Sequence, residues 1–402
     1  MTRSRRGNLL IILILGAMST VSPFSVDMYL PAFPEIARDL GTTPAAISFS
    51  VSGYFIGLAL GQLFYGPLLD RFGRKRPLYA GLSLFIVASF GCTAARSPGL
   101  FIAFRLLQAL GGCVAQVGAI SMVRDFFPVQ ESARILSLLI LVLSVSPLFA
   151  PSIGSLFATT IGWRWIFVTL AGSALVLIVL IRTLLPEGRK ANPDISLRPR
   201  AVLAGFGRVF GHPQFYAYAV GGAFSFAGLF VYVAGSPIIF IDTFNVGPRT
   251  YGLIFAILAG GFIGGSQLNI WLSRRHQDKD IFRAALICQN VIMLAIVIGT
   301  WFDWYGLAAN VVLLFLYLPF CGIAYPNAAA IALAPFSKNV GSAAALLGFL
   351  QMGIGALSST GVGLLRSSST LPIYIVMGAT ALTGLVIVFA SQNRARIDEP
   401  ML

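Results

Sequence analysis

Charge is what this 402-residue chain has least of. Asp, Glu, Lys and Arg make up 10% of it, where soluble proteins carry roughly 25%. A chain of this length has too few charged side chains to face water on every side. That excludes most soluble enzymes and nucleic-acid binders. Histidine is scarcer still: His212 and His276 both fall in connections between apolar runs. No Ser/His pair, HExxH motif or carboxylate cluster lies within those runs. Metal chemistry therefore lacks ligands and nucleophilic catalysis lacks a base, so neither an enzyme nor a cofactor is expected. The four cysteines, Cys92, Cys113, Cys288 and Cys321, sit in apolar stretches without a CxxC pair. They read as reduced packing residues. Nothing resembles the charged ring or filter loop of a channel.

What the chain does have is 57% hydrophobic residues, 42 glycines and a mean hydropathy of +0.85. That composition suits packed membrane helices, where small residues let backbones approach. A spanning helix needs about 20 mainly apolar residues. Twelve stretches qualify: 8–30, 45–69, 77–96, 98–123, 132–160, 163–185, 214–240, 249–273, 282–302, 305–333, 341–366 and 370–391. The fifth and tenth are long and contain prolines, which predicts tilting or kinking. Arg3, Arg5 and Arg6 precede the first stretch. It exceeds a signal h-region of about 7–15 residues and no A-x-A site follows, so it reads as a retained span.

The net charge of +14 looks like a nucleic-acid signal until the charges are placed. Of 28 Lys and Arg residues, 22 fall on one side of the alternating spans. Five fall on the other, and Arg105 lies within a span. The positive-inside rule then puts both termini in the cytoplasm. The longest connection, 186–213, follows the sixth span. It divides the chain into six-helix halves at 1–190 and 214–402, joined by a linker at 191–213. Gly61-Gln62-Leu63 is faintly echoed by Ser266-Gln267-Leu268. Six spans, a long loop and six spans is the layout of a parallel-repeat transporter.

A charge at membrane depth is costly and marks a partner or a water-filled cavity. The N-terminal half has two: Asp27 in span one and Arg105 in span four. Counting residues to the outer ends of their spans puts both roughly 10 Å deep. An acid and a base at equal depth suggest a switchable electrostatic pair, opened by protonation or by a cationic substrate. Gln108, Gly112 and Gln116 follow Arg105 at +3, +7 and +11, on one helical face, and suggest a cavity-facing stripe. Tyr54, Phe224, Tyr232 and Gln351 complete the candidate substrate contacts. Asp242 and Asp303 sit at outer span ends and read as interfacial. One acid, one base and many aromatics favour a moderately hydrophobic, cationic or zwitterionic substrate over a sugar or a phosphorylated anion.

The connection Gly66-Pro67-Leu68-Leu69-Asp70-Arg71-Phe72-Gly73-Arg74-Lys75-Arg76 offers close helix approach at Gly66, a tight turn at Gly73 and an acceptor at Asp70. It resembles the loop signature of the major facilitator superfamily. Arg105-Leu-Leu-Gln108-Ala-Leu-Gly111 resembles the family's span-four signature. Pro147 and Ala150-Pro151-Ser152-Ile153-Gly154-Ser155 resemble its span-five antiporter signature, with Ser146, Ala150 and Ser155 where glycine is usual. Asp27-Met28-Tyr29-Leu30-Pro31, Arg124-Asp125 and Gly162-Trp163-Arg164-Trp165-Ile166-Phe167 add to the likeness. So do Pro326-Asn327-Ala328 and Gly341-Ser342-Ala343 in the second half.

Together these resemble the Bcr/CflA group of drug:proton antiporters. The resemblance implies an all-α membrane protein with the twelve-helix major facilitator fold. It implies proton-coupled efflux of small hydrophobic or amphipathic compounds by alternating access. By that likeness Asp27 is the proton acceptor and Arg105 its modulator. Gly66, Asp70, Arg71, Gly73 and Arg74, with Asp125, form a cytoplasmic latch, and Pro147, Pro151 and Gly154 shape the antiporter helix. Ser19 stands where some relatives carry a second acid, which argues against a two-carboxylate mechanism. The expected partners are a small molecule, protons and the lipid bilayer of a bacterial inner membrane. The expected state is a monomer, with no nucleic acid bound. The nearest alternative is proton-coupled uptake of a nutrient or metabolite on the same fold.

Overall fold

The computed structural model describes residues 5–188, 191–193, 206–336, 340–364 and 369–397. They form twelve long helices and no strand among the described residues. In chain order these are α1 (Arg5–Asp27), α2 (Pro44–Arg71), α3 (Lys75–Ala94), α4 (Pro98–Phe126), α5 (Val129–Thr160) and α6 (Arg164–Thr183). The second set is α7 (Pro213–Pro237), α8 (Pro248–Leu272), α9 (Asp278–Trp301), α10 (Leu307–Leu333), α11 (Val340–Leu364) and α12 (Leu371–Ile397). Among the described residues, eleven helical segments are long and apolar enough to cross a membrane. The helix α5 covers the remaining expected span, 132–160.

The helices begin where the chain favours it. Pro44, Pro98, Pro213 and Pro248 open four of them, a position where the missing N–H is unneeded and φ is already set. Ser97 also caps α4, its Oγ accepting from the Leu100 N–H at 3.4 Å. Gly73, with φ +80, makes the turn between α2 and α3, and Gly162, with φ +94, the turn between α5 and α6. A side chain at either would strain the backbone.

Span one differs from its sequence reading. It does not run as one helix through Asp27. The helix α1 stops at Asp27, a 3-10 turn covers Leu30–Ala32, and a short helix follows at Phe33–Asp39. Pro31 and Pro34 lack the N–H groups that would continue α1. Hydropathy stays high throughout, so the apolar run hides the break.

The chain divides into two compact units, Met1–Thr43 with Gly53–Val202, and Pro44–Ser52 with Leu203–Leu402. In the first, α3 packs against α4 and α6, and α1 against α5 and α4. In the second, α7 packs against α10, α11 and α12, while α10 also packs against α8 and α9. Phe215, Phe282, Ala324, Ala328 and Leu347 form part of that unit's core. Cys92, Cys113 and Cys321 are buried in helix packing, and all four thiols are free. Val87, Val176, Val291 and Leu357 are exposed. Such outward apolar residues suit a hydrocarbon solvent.

Candidate functional site

The site in the first unit is built around the place where α1 ends. A helix that stops leaves carbonyls in its last turn without intrahelical donors. Inside a bilayer no water can satisfy them. The structure meets this need with Arg105 of α4. Its Nη2 donates to the Ser25 carbonyl oxygen at 2.9 Å, and its Nη1 to Ser25 Oγ at 2.9 Å. A cation at a helix C-terminus is also favoured by the helix dipole. Nη1 donates to Gln108 Oε1 as well, and Gln108 Nε2 donates to Ser89 Oγ on α3 at 2.7 Å. The guanidinium carbon lies 4.2 Å from the Tyr29 ring centroid and 4.3 Å from that of Tyr54. Arg105 is fully buried. Two aromatic faces of this kind stabilise a desolvated cation.

Asp27, the last residue of α1, is 5% exposed. Among the described residues it takes part in no ion pair. The expected Asp27–Arg105 pair is therefore not formed in this structure. Residues two apart on a helix point about 200° apart, so an arginine that reaches Ser25 faces away from Asp27. Gln108 is likewise fully buried and bridges α4 to α3, so it does not belong to an open stripe. Gln116 is half-buried.

Helix α5 reaches the same break. Gly154 packs so closely on Met28, the residue after Asp27, that a Cβ would overlap the Met28 carbonyl. Pro147 and Pro151 lie in the interior of α5, where each removes one backbone hydrogen bond and bends the helix. Gly154→Ala is expected to destabilise the protein by about 1–3 kcal/mol, the usual cost of overpacking, because the obstacle is backbone. Thermal unfolding of purified protein checks this. Gly172→Ala, where a Cβ meets nothing within 4 Å, is the control that should unfold like wild type.

Beyond the break, span one is held by groups that sequence reasoning did not assign. Tyr29 packs on Phe33 and Phe167, with ring centroids at 5.2 and 5.9 Å. Asp39 Oδ2 accepts from Trp163 Nε1 at 2.9 Å and from Arg164 Nη1 at 2.6 Å. Arg164 Nε donates to the Thr93 carbonyl at 3.1 Å. The Gly162–Phe167 motif was the signal available for this clasp, but nothing in it names Asp39 as the partner.

The α2–α3 turn carries a second network. Arg74, 4% exposed, donates from Nη1 to Asp70 at 2.7 Å. Its Nε and Nη2 donate to both oxygens of Asp125 at 2.7 and 3.1 Å. Burial works against the Arg74 charge, but the hydrogen bonds to Asp125 and Asp70 outweigh it and hold the guanidinium above its ordinary pKa. Glu187 Oε1 accepts from the backbone N–H groups of Arg74 and Lys75 at 3.2 Å each, satisfying donors at the start of α3. Arg71 lies 5.9 Å from the Phe72 ring centroid. Gly66 differs from its sequence reading: a Cβ there meets nothing within 4 Å, so no close packing in this structure requires glycine. Arg74→Ala removes the guanidinium that Asp70 and Asp125 both hold. The expected cost is about 2–3 kcal/mol, discounted because Asp70 is partly exposed. Thermal unfolding reads it. Arg74→Lys should recover only part, since an ammonium cannot bond both carboxylates in this geometry.

In the second unit Tyr232 stacks on Phe255 with centroids at 5.7 Å. Gln351 is buried and Phe224 half-buried. Buried polar pairs tie the helices: Asn327 Nδ2 donates to Asn269 Oδ1 at 2.6 Å, and Ser225 Oγ to Gln289 Oε1 at 2.8 Å. Asp242 and Asp303 are exposed. Among the described residues no group of three or more His, Cys, Asp and Glu could hold a metal ion.

The family model described as Major Facilitator Superfamily matches residues 15–360. A bicyclomycin resistance protein homolog of Haemophilus influenzae is 28% identical over 97% of this chain and 98% of its own. The multidrug resistance protein MdtL of Escherichia coli is 29% identical over 90% of this chain and 93% of its own. A crystal structure of a D-xylose-proton symporter aligns with a TM-score of 0.75 at 14% identity, covering 94% of this chain and 97% of that one. That likeness concerns the fold alone.

Proposed function

The chain belongs to the major facilitator superfamily, whose members transport small molecules and are not enzymes, and from that premise we propose that it is a drug:proton antiporter. It exports small hydrophobic or amphipathic compounds by alternating access of two six-helix halves, 1–190 and 214–402, joined by the linker 191–213. The observation that carries the reading is Asp27: a carboxylate at membrane depth, 5% exposed, with no ion-pair partner among the described residues. A charge there costs about 2.5–3.5 kcal/mol. Taking up or releasing a proton therefore changes the energy of any conformation that buries the group. Resistance proteins among the relatives support an exported, moderately hydrophobic substrate. The substrate contacts proposed are Asp27, Tyr54, Arg105, Gln108, Gln116, Phe224, Tyr232 and Gln351, of which Tyr54, Arg105 and Gln108 are fully buried in this structure and meet substrate only in another state of the cycle. The Arg74 network acts as the latch on the cytoplasmic side, where both termini lie, in a bacterial inner membrane. The protein works as a monomer.

Proteoliposomes with an imposed pH gradient test the direction of coupling. With substrate outside and acid inside, an antiporter accumulates substrate as protons leave. Accumulation only with acid outside would instead establish proton-coupled uptake.

A further inference from the structure

The second unit contains a pocket that the transport reading does not use. It has a volume of about 310 Å³ and lies among α8, α9 and α10, lined by Leu272, Ala284, Phe320 and Ile323. Its two polar lining residues are His276 and Asp280, in or beside the connection from α8 to α9. An apolar hollow left empty forfeits dispersion contacts along its walls, and in a bilayer the filler at hand is an acyl chain. The level of the pocket is marked by Trp271. It is 48% exposed at the end of α8, with Arg275 over its ring at 4.6 Å. Exposed tryptophan at a span end sits among lipid headgroups. Leu268 and Ile270, just before it on α8, are apolar and exposed, as suits the hydrocarbon level beneath it. The pocket thus straddles the boundary between headgroups and chains.

The charges around its mouth choose the headgroup. Arg274, Arg275 and Lys279 are exposed within six positions of His276 and Asp280. Asp280 faces Arg283 at 3.9 Å, and Asp278 stands in the first turn of α9, where the helix dipole favours an acid. Arg274, Arg275, Lys279 and Arg283 against Asp278 and Asp280 leave the mouth with a positive formal balance. We propose that this pocket binds an anionic phospholipid, with part of one acyl chain against Leu272, Ala284, Phe320 and Ile323 and the phosphate on Arg274, Arg275 and Lys279. Basic clusters beside spanning helices recognise anionic headgroups through the same attraction.

Native mass spectrometry of the full-length protein tests this, using dioleoyl phosphatidylglycerol, dioleoyl phosphatidylethanolamine and dioleoyl phosphatidylcholine as probes. The expected result is retention of phosphatidylglycerol at about tenfold lower concentration than either other lipid. Replacing Arg274, Arg275 and Lys279 together by Gln should weaken that binding about tenfold, while Ala284→Phe should fill the pocket and remove it. The triple variant changes only exposed side chains and carries the test if Ala284→Phe fails to fold. Equal retention of the three lipids, preference for phosphatidylethanolamine, or undiminished phosphatidylglycerol binding in either folded variant overturns the proposal.

Discussion

Asp27→Asn is expected to reduce pH-gradient-driven transport to background while the protein folds as wild type does. Asparagine keeps the size of the side chain and removes its ability to change charge. Nothing in the described structure depends on the carboxylate: no arginine or lysine is held by it. Losing it therefore leaves no buried cation unpaired, the circumstance that makes most buried charge deletions costly. Unfolding temperature should match or exceed that of wild type, because a charge that is expensive at this depth is gone. Substrate exchange without a gradient should persist at weaker substrate affinity, since exchange does not need the proton and asparagine keeps a polar group at this proposed contact. Asp27→Glu should restore part of the driven transport. Two measurements decide: gradient-driven uptake into proteoliposomes and substrate exchange at equal pH. Driven transport by Asp27→Asn at the wild-type rate would remove Asp27 from the coupling mechanism.

Arg105→Ala is expected to act oppositely, on the fold before function. The substitution strips the Ser25 carbonyl and hydroxyl and Gln108 of a shared donor. It also leaves a hollow between the Tyr29 and Tyr54 rings. Hydrogen bonds to a buried charged group contribute about 1.5–3 kcal/mol each. They share one side chain, so the losses do not simply add, and about 3–5 kcal/mol is the expected destabilisation. Arg105→Lys keeps the charge but cannot reach Ser25 and Gln108 together while lying flat on two rings, so it should fall between. A double variant, Asp27→Asn with Arg105→Ala, should show additive changes in unfolding free energy within about 0.5 kcal/mol. If Asp27→Asn instead rescues Arg105→Ala, the two groups form an ion pair in a populated state, and the helix-end role of Arg105 is incomplete.

These two variants separate what a linear reading treats as one feature. From the sequence, Asp27 and Arg105 are the ionisable groups well inside spans of the first half, and pairing them is the natural inference. The inference counts depth but not azimuth. Ser25 and Asp27 lie on opposite faces of α1, and which carbonyls need an outside donor depends on where α1 stops, in an apolar run with no change in hydropathy to mark it. Gly154 is similar. A small residue in α5 is legible as a packing position, but its partner, the Met28 backbone, is more than a hundred residues away. Gly66, by contrast, reads as a packing glycine, yet a Cβ there would meet open space.

Composition and the order of apolar runs determined the solvent, the all-helical class, the number of long helices and the grouping of basic residues, because each follows from counts along a line. Residue type also determined that Asp27, Arg105 and Arg74 would matter, since a charge in or beside a membrane needs a reason to be there. Only the tertiary structure decided their partners. It gave Arg105 to the carbonyl of a broken helix and Arg74 to two carboxylates with Glu187 capping behind it, and among the described residues it left Asp27 without a counter-ion. The physical reason is that backbone groups freed at a helix end must be satisfied inside a bilayer. That demand depends on where α1 ends in three dimensions, and it took the arginine that the acid was expected to hold.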